Sequence, residues 1–262
     1  MKPRLAVHKF TSCDGCQLAF LNAGEDLLTL SELVDMVHFS EAGAIGIDEK
    51  VDIAFVEGSI STPDEEQRIK KIRQNSKYII TIGACATAGG VQALRNAADA
   101  KEWISQIYAS PKYIKSLSTS TPIAHHVRVD WELWGCPVNG KQVLETVRSL
   151  LFNSTPRIKK DSECMECKRK GNVCVLVTKK QPCMGPVTKL GCGSLCPSVG
   201  RGCYACYGPQ ENPNTQSLGN WFEHLGLSKE AIAQKFLHIN NQAPAFHKAG
   251  AYFKGIKISN ES

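Results

Sequence analysis

The sequence predicts an α/β protein built on a doubly wound parallel sheet, followed by a small irregular cysteine-rich domain that ends in helices. Three observations carry this. Short apolar, β-branched runs alternate with helical stretches through residues 4–152, the pattern of strands joined by crossover helices. Eight of the 12 cysteines then fall between positions 164 and 206, with little periodic apolar pattern around them. Helical patterning returns at 215–225 and from Ser228 towards His238. A polar, proline-containing stretch at 153–162 separates the two textures, so domains are expected at 1–155 and 156–262.

Taken in order, residues 4–10 (RLAVHKF) read as a strand that stops at Thr11-Ser12-Cys13-Asp14-Gly15-Cys16 and gives way to a helical stretch at 17–21. Strands follow at 33–39 and 51–56, each bounded by Ser, Gly or Asp. Thr62-Pro63-Asp64-Glu65-Glu66 opens a helix, with Thr62 as N-cap, Pro63 at the first helical position and acids in the first turn. It runs through Ile69 and Ile72 towards Ser76. The apolar run 78–83 (YIITIG) is a buried strand and 127–134 another. Residues 139–152 form an amphipathic helix, apolar at Val143, Val147, Leu150 and Leu151.

With 262 residues, 42% hydrophobic and 21% charged, the chain has a globular composition that excludes disorder and collagen-like structure. No apolar run approaches the roughly 18–20 residues of a membrane helix. The start, MKPRLAVHKF, carries no apolar signal region, so a cytoplasmic protein is expected. Thiol reductants keep cytosolic cysteines reduced, so 12 of them point to metal or catalysis rather than disulfides. Gly89-Gly90 is not a dinucleotide fingerprint and no phosphate loop is present, so a nicotinamide cofactor is expected on another chain.

Cys13 and Cys16 leave the end of the first strand, Cys85 follows the 78–83 strand, and Cys136 follows the 127–134 strand. In an open α/β sheet that carboxyl edge is where ligands bind, so these four can converge. Nearby glycines at 15, 83, 89, 90 and 135 let backbone approach a bulky inorganic core. A redox C-x2-C pair with two unrelated cysteines and a Cys₄ zinc site are weaker readings than a [4Fe–4S] cluster. From Cys164 the spacing is C-x2-C-x6-C-x8-C-x8-C-x3-C-x6-C-x2-C, enough thiolates for two clusters. Zinc ribbons stay open there, because spacing does not identify the metal.

The set Cys13-Asp14-Gly15-Cys16-Gln17, Val56-Glu57-Gly58-Ser59, Gly83-Ala84-Cys85-Ala86, Gly135-Cys136-Pro137 and Pro182-Cys183-Met184-Gly185-Pro186-Val187-Thr188 resembles the small, electron-transferring subunit of [NiFe]-hydrogenases. It is most similar to the cytoplasmic group, including sulfhydrogenase delta and F420-non-reducing hydrogenase small subunits. The resemblance implies a flavodoxin-like first domain and three [4Fe–4S] clusters. Cys13, Cys16, Cys85 and Cys136 would hold the proximal cluster, Cys164, Cys167, Cys174 and Cys183 the distal one, and Cys192, Cys196, Cys203 and Cys206 the medial one. Cys164 stands where exported members usually have His, and Cys196 where they often have Pro, which favours three full cubanes here.

Partners implied are a [NiFe] large subunit and diaphorase-type NAD(P)/flavin and iron–sulfur subunits, with no nucleic acid and no membrane span. Rival readings are a complex-I-like quinone oxidoreductase subunit, which would lack the eight-cysteine segment, and a zinc-stapled nucleic-acid module, prompted by a net charge of +6. Three oxidised clusters would add about −6 and cancel that charge. Glu57 has two readings, assisting protons or hydrogen bonding at the subunit interface, or simple strand-end capping. The basic residues 159, 160, 168–170, 179 and 180 suit either an acidic redox partner or a solvated, charge-compensating face.

Overall fold

A six-stranded sheet organises the first of the two units into which the chain divides, Met1–Arg157 and Ile158–Ser262. The computed structural model describes residues 2–45 and 49–256. The strands are β1 (Arg4–Lys9), β2 (Asp35–Phe39), β3 (Ala44–Ile45), β4 (Val51–Glu57), β5 (Ser76–Ile82) and β6 (Trp131–Leu133), in spatial order β3-β2-β1-β4-β5-β6. Five run parallel, and β3 pairs antiparallel with β2 at the edge. The fold is therefore α/β with a parallel sheet. Its order reverses between β1 and β4, the crevice where such sheets bind ligands.

Helices α1 (Gly15–Leu21), α2 (Glu25–Leu33), α3 (Pro63–Asn75), α4 (Gly83–Ala88), α5 (Ala100–Ile107) and α6 (Gly140–Leu151) flank the sheet. Alternation along the strands sends Phe55 to one face, where Phe20 of α1 meets it and Phe39 at 6.0 and 5.5 Å between ring centroids. The opposite face packs Ala6, Ala54, Val56 and Ile79 with Ile69 and Ile72 of α3. Burying each of those isoleucines stabilises by roughly 1.5–3 kcal/mol.

The start of α3 forms as its sequence predicts. The Thr62 hydroxyl accepts from the Glu65 N–H at 3.3 Å, and Glu65 accepts from the Thr62 N–H at 3.1 Å, a reciprocal capping box. Glu65 also accepts from the Thr11 hydroxyl at 2.9 Å, which ties the loop after β1 to this helix.

Two elements of this unit depart from the sequence pattern. Helix α2 leaves Leu28 and Leu33 exposed, so its apolar residues do not form one stripe. Strand β6 covers three residues of the expected 127–134 because the preceding segment is bonded otherwise. Arg73 donates to the Arg128 carbonyl at 3.2 Å and to the Asp130 carboxylate at 2.7 Å, and that carboxylate accepts from the Ile79 N–H at 2.8 Å.

The second unit begins with short helices α7 (Glu163–Arg169), α8 (Val175–Thr178) and α9 (Leu195–Ser198), and closes with α10 (Thr215–His224), α11 (Lys229–Phe236) and α12 (Pro244–Phe253). The last three share a core in which Phe236 lies 5.9 Å from Phe246 and 6.1 Å from Phe253 between ring centroids. Helix α12 has no counterpart among the sequence expectations, its small residues concealing an apolar face. A Cβ at Gly219 would fall 2.1 Å from the Phe253 ring, so only glycine lets α10 approach α12 this closely. Among the described residues no helix is long and apolar enough to cross a membrane.

Candidate metal centres

The first centre grows from the carboxyl ends of β1 and β4. Beyond β1, Thr11 and Ser59 exchange backbone hydrogen bonds of 3.2 and 2.9 Å, which lock the two strand ends together. The chain then turns through Asp14, whose φ of 64° is held by a 2.7 Å ion pair to Lys9 and a 3.1 Å hydrogen bond from Ser12. This turn aims the N-terminus of α1 back at β4. Glu57, 2% exposed, accepts there from the Cys16 N–H at 2.9 Å and the Gln17 N–H at 3.3 Å. Glu57 thus caps the start of α1 from the neighbouring strand, a role neither of the two sequence readings names. Burial raises its pKa, opposed by the N–H of Cys16.

β5 runs into α4 at Gly83, whose φ of 85° and missing Cβ make room for a thiol. A Cβ there would sit 2.3 Å from the Cys16 sulfur, and one at Gly90 would sit 2.5 Å from the Cys85 sulfur. The Ala84 N–H donates to the Gly135 carbonyl at 2.7 Å, which brings the turn after β6 against the start of α4. From that turn the Val138 N–H donates to the Cys16 sulfur at 3.4 Å.

Cys13, Cys16, Cys85 and Cys136 are thereby brought together. Burial raises Cys16, with Glu57, Cys85 and Cys136 adding. Burial pushes Cys85 up to about 12, with Cys136 and Cys13 adding. Cys136 is raised by burial and then by Cys13. Cys16, Cys85 and Cys136 each resist deprotonation singly, so they can ionise together only where a cation compensates them.

The second unit repeats this chemistry. Cys164 and Cys167 sit one turn apart on α7, and Cys174 caps α8. A Cβ at Gly185 would lie 3.5 Å from the sulfurs of both Cys164 and Cys183. Burial pushes Cys164 up to about 11, and Cys183, Cys167 and Cys174 add to it, so these four share one locality. The Cys203 N–H donates to the Cys183 sulfur at 3.2 Å, and the Ala205 N–H to the Cys203 sulfur at 3.4 Å. Cys192 and Cys196 lie before and within α9, while Cys203 and Cys206 bracket a left-handed turn at Ala205 with φ 65°.

Two residues outside the cysteine pattern, neither singled out by the sequence, shape this unit. Glu166 accepts from the N–H groups of Gly191 and Gly193 at 3.2 and 2.8 Å, which fixes the loop carrying Cys192. Glu163, 1% exposed, stands with Glu166 and Cys192 so that one ligand atom from each lies within 4.8 Å of the others. Burial, then the neighbouring Glu166, pushes Glu163 up to about 7. The one signal in the sequence is the placement of both acids immediately before Cys164 and Cys167.

Free thiols gathered at two localities, backbone N–H groups on sulfur and glycines against sulfur together fit iron–sulfur clusters. Sheet and thiols together define a cysteine-rich, metal-binding α/β protein. Residues 13–150 match the family described as NADH ubiquinone oxidoreductase, 20 Kd subunit. Over 232 residues the chain is 34% identical to sulfhydrogenase 2 subunit delta of Pyrococcus furiosus, covering 88% of this chain and 97% of that one. It is 27% identical over 240 residues to a vhu subunit of the F420-non-reducing hydrogenase of Methanocaldococcus jannaschii, covering 78% and 81% respectively. Among solved structures, an NAD+-reducing [NiFe]-hydrogenase in the H2-reduced state superposes with a TM-score of 0.56 at 25% identity, over 60% of this chain and 95% of that one. The chain belongs to the 20 Kd subunit family and is a hydrogenase-family subunit within it.

Proposed function

We propose that the chain is the electron-transfer subunit of a cytoplasmic [NiFe]-hydrogenase. It carries electrons between the nickel–iron site of a separate large subunit and a diaphorase-type or other acceptor subunit, through three [4Fe–4S] clusters. The observation that carries this reading is the pair of four-thiol sets, one in each unit, whose sulfurs meet glycines that leave room for them and backbone N–H donors. Cys13, Cys16, Cys85 and Cys136 would hold the proximal cluster, and Cys164, Cys167, Cys174 and Cys183 the distal one. Cys192, Cys196, Cys203 and Cys206 would hold the medial one. Such clusters, when bound, accept and release single electrons.

The protein's own share is positioning and tuning. Glu57 fixes α1 so that Cys16 faces Gly83, and the Val138 N–H stabilises negative charge on the Cys16 sulfur. With all 12 cysteines so used, none remains for a nickel site, which assigns hydrogen chemistry to the large subunit. Similarity to an NAD+-reducing enzyme supports an NAD(P)-linked acceptor. That the sulfhydrogenase relative aligns along nearly its whole length, eight-cysteine segment included, favours this reading over a quinone-linked subunit.

Replacing Cys196 by Pro tests the assignment. In the oxidised complex Cys196→Pro is expected to give a new three-iron EPR signal in place of one four-iron cluster, with about eleven of twelve iron retained. An unchanged spectrum overturns the role of Cys196.

A further inference from the structure

The surface around α8 and α9 combines an apolar cluster with a basic rim. Val173, Val177, Leu195 and Val199 are 67%, 71%, 67% and 68% exposed, four aliphatic side chains turned to water beside two four-residue helices. The two stretches are neighbours. The Asn172 amide donates to the hydroxyls of Ser194 and Ser198 at 3.0 and 3.2 Å, and the Lys179 ammonium donates to the Gly200 carbonyl at 3.1 Å. A cluster of exposed apolar side chains of this kind marks an interaction site more often than a free surface.

Its rim is cationic. Lys168, Arg169 and Lys170 follow one another at the end of α7, and Lys179 and Lys180 follow α8, all exposed. From position 167 to position 210 the sequence holds seven Lys or Arg and not one Asp or Glu. Two oxidised clusters in this unit would offset only about four of those charges. Compensation of cluster charge therefore leaves the rim positive.

We infer that this face docks an acidic electron-carrier protein, its apolar centre seated on the four aliphatic side chains and its carboxylates meeting the lysine and arginine rim. The inference rests on the electron-transfer reading above. Charge complementarity selects the partner, and the apolar centre distinguishes it from a nucleic acid, whose phosphates need cations alone. The face also stands over the reacting groups, since α8 is capped by Cys174 and α9 contains Cys196. Each encounter moves one electron, oxidising a cluster of this unit as the carrier's redox group is reduced, or the reverse; no bond is made and no proton moves.

The test uses the intact cluster-loaded complex, hydrogen as donor, and a small acidic [4Fe–4S] ferredoxin as probe, with methyl viologen as a reference acceptor that needs no docking face. Ferredoxin reduction should slow steeply as salt rises, and Arg169→Glu with Lys180→Glu should lower the ferredoxin-to-viologen rate ratio about tenfold at low salt, the difference closing at high salt. Val177→Ser should raise the KM for ferredoxin without altering the salt slope. Should the charge reversals damage the complex, Arg169→Gln with Lys180→Gln is read in the same way, with a smaller drop in the ratio. A ratio indifferent to salt and to these variants overturns the docking face while viologen reduction keeps the electron-transfer reading intact. Loaded clusters that hydrogen cannot reduce overturn that reading, and the docking face with it.

Discussion

Gly83→Ala is expected to cost the protein one cluster, read as the loss of about four of twelve iron atoms per chain. Two effects combine at this position. The φ of 85° is a conformation that L-residues adopt only under strain, worth roughly 1–3 kcal/mol. The added methyl would also lie 2.3 Å from the Cys16 sulfur, far inside contact distance. The sulfur has little room to yield, because Cys16 is buried, its N–H is held by Glu57 and its sulfur accepts from Val138. Gly43→Ala separates the two effects. Gly43 has a similar φ of 75° with nothing described within 4 Å, so its alanine variant should show the strain and keep its iron. Iron analysis together with denaturant unfolding of both variants checks this, and full iron in Gly83→Ala would refute the thiol cradle.

Removing iron should unfold most of residues 158–209 while leaving the rest of the protein folded. Helices α7, α8 and α9 have 7, 4 and 4 residues, well below the length at which a helix persists on local bonds. Between them, apart from the cysteines, only a few apolar side chains, Val175, Met184, Val187, Leu190, Pro197, Ala205 and Tyr207, are buried. Metal-binding free energy must then supply what the core cannot. Helices α10, α11 and α12 differ, because Phe222, Ile232, Phe236 and Phe246 are almost wholly buried, with Phe236 packed against Phe246 and Phe253. Hydrogen exchange after treatment with a ferrous chelator under reducing, anaerobic conditions should show amides of 158–209 exchanging freely, while α10–α12 and the sheet stay protected. Persistent protection of 158–209 would mean that hydrocarbon contacts alone suffice.

Much of this architecture is legible in the sequence. Alternating apolar runs mark the parallel strands because each is buried on both faces and reads as continuous hydrocarbon. Thr62 and Pro63 announce α3 because capping chemistry is local. Topology alone places Cys85 and Cys136 at one edge, since parallel strands deliver their following residues to the same side. What stays hidden depends on distant partners. β6 is short because Arg73 and Asp130, far apart in sequence, bond to backbone that a longer strand would need. Helix α12 is rich in alanine and glycine, whose burial follows from close packing against α10 and Leu237 rather than from an apolar stripe. Glu57 as a cap for α1 is undetectable from spacing, because the donor and acceptor meet only across β1 and β4. Glu166 likewise finds its partners at Gly191 and Gly193 through the fold of an irregular loop.

The central claim is that the twelve thiols hold iron and sulfide. Metal and acid-labile sulfide analysis of anaerobically purified protein tests it most directly. The three-cluster account requires about twelve iron and twelve sulfide per chain. Stoichiometric zinc without sulfide would contradict it.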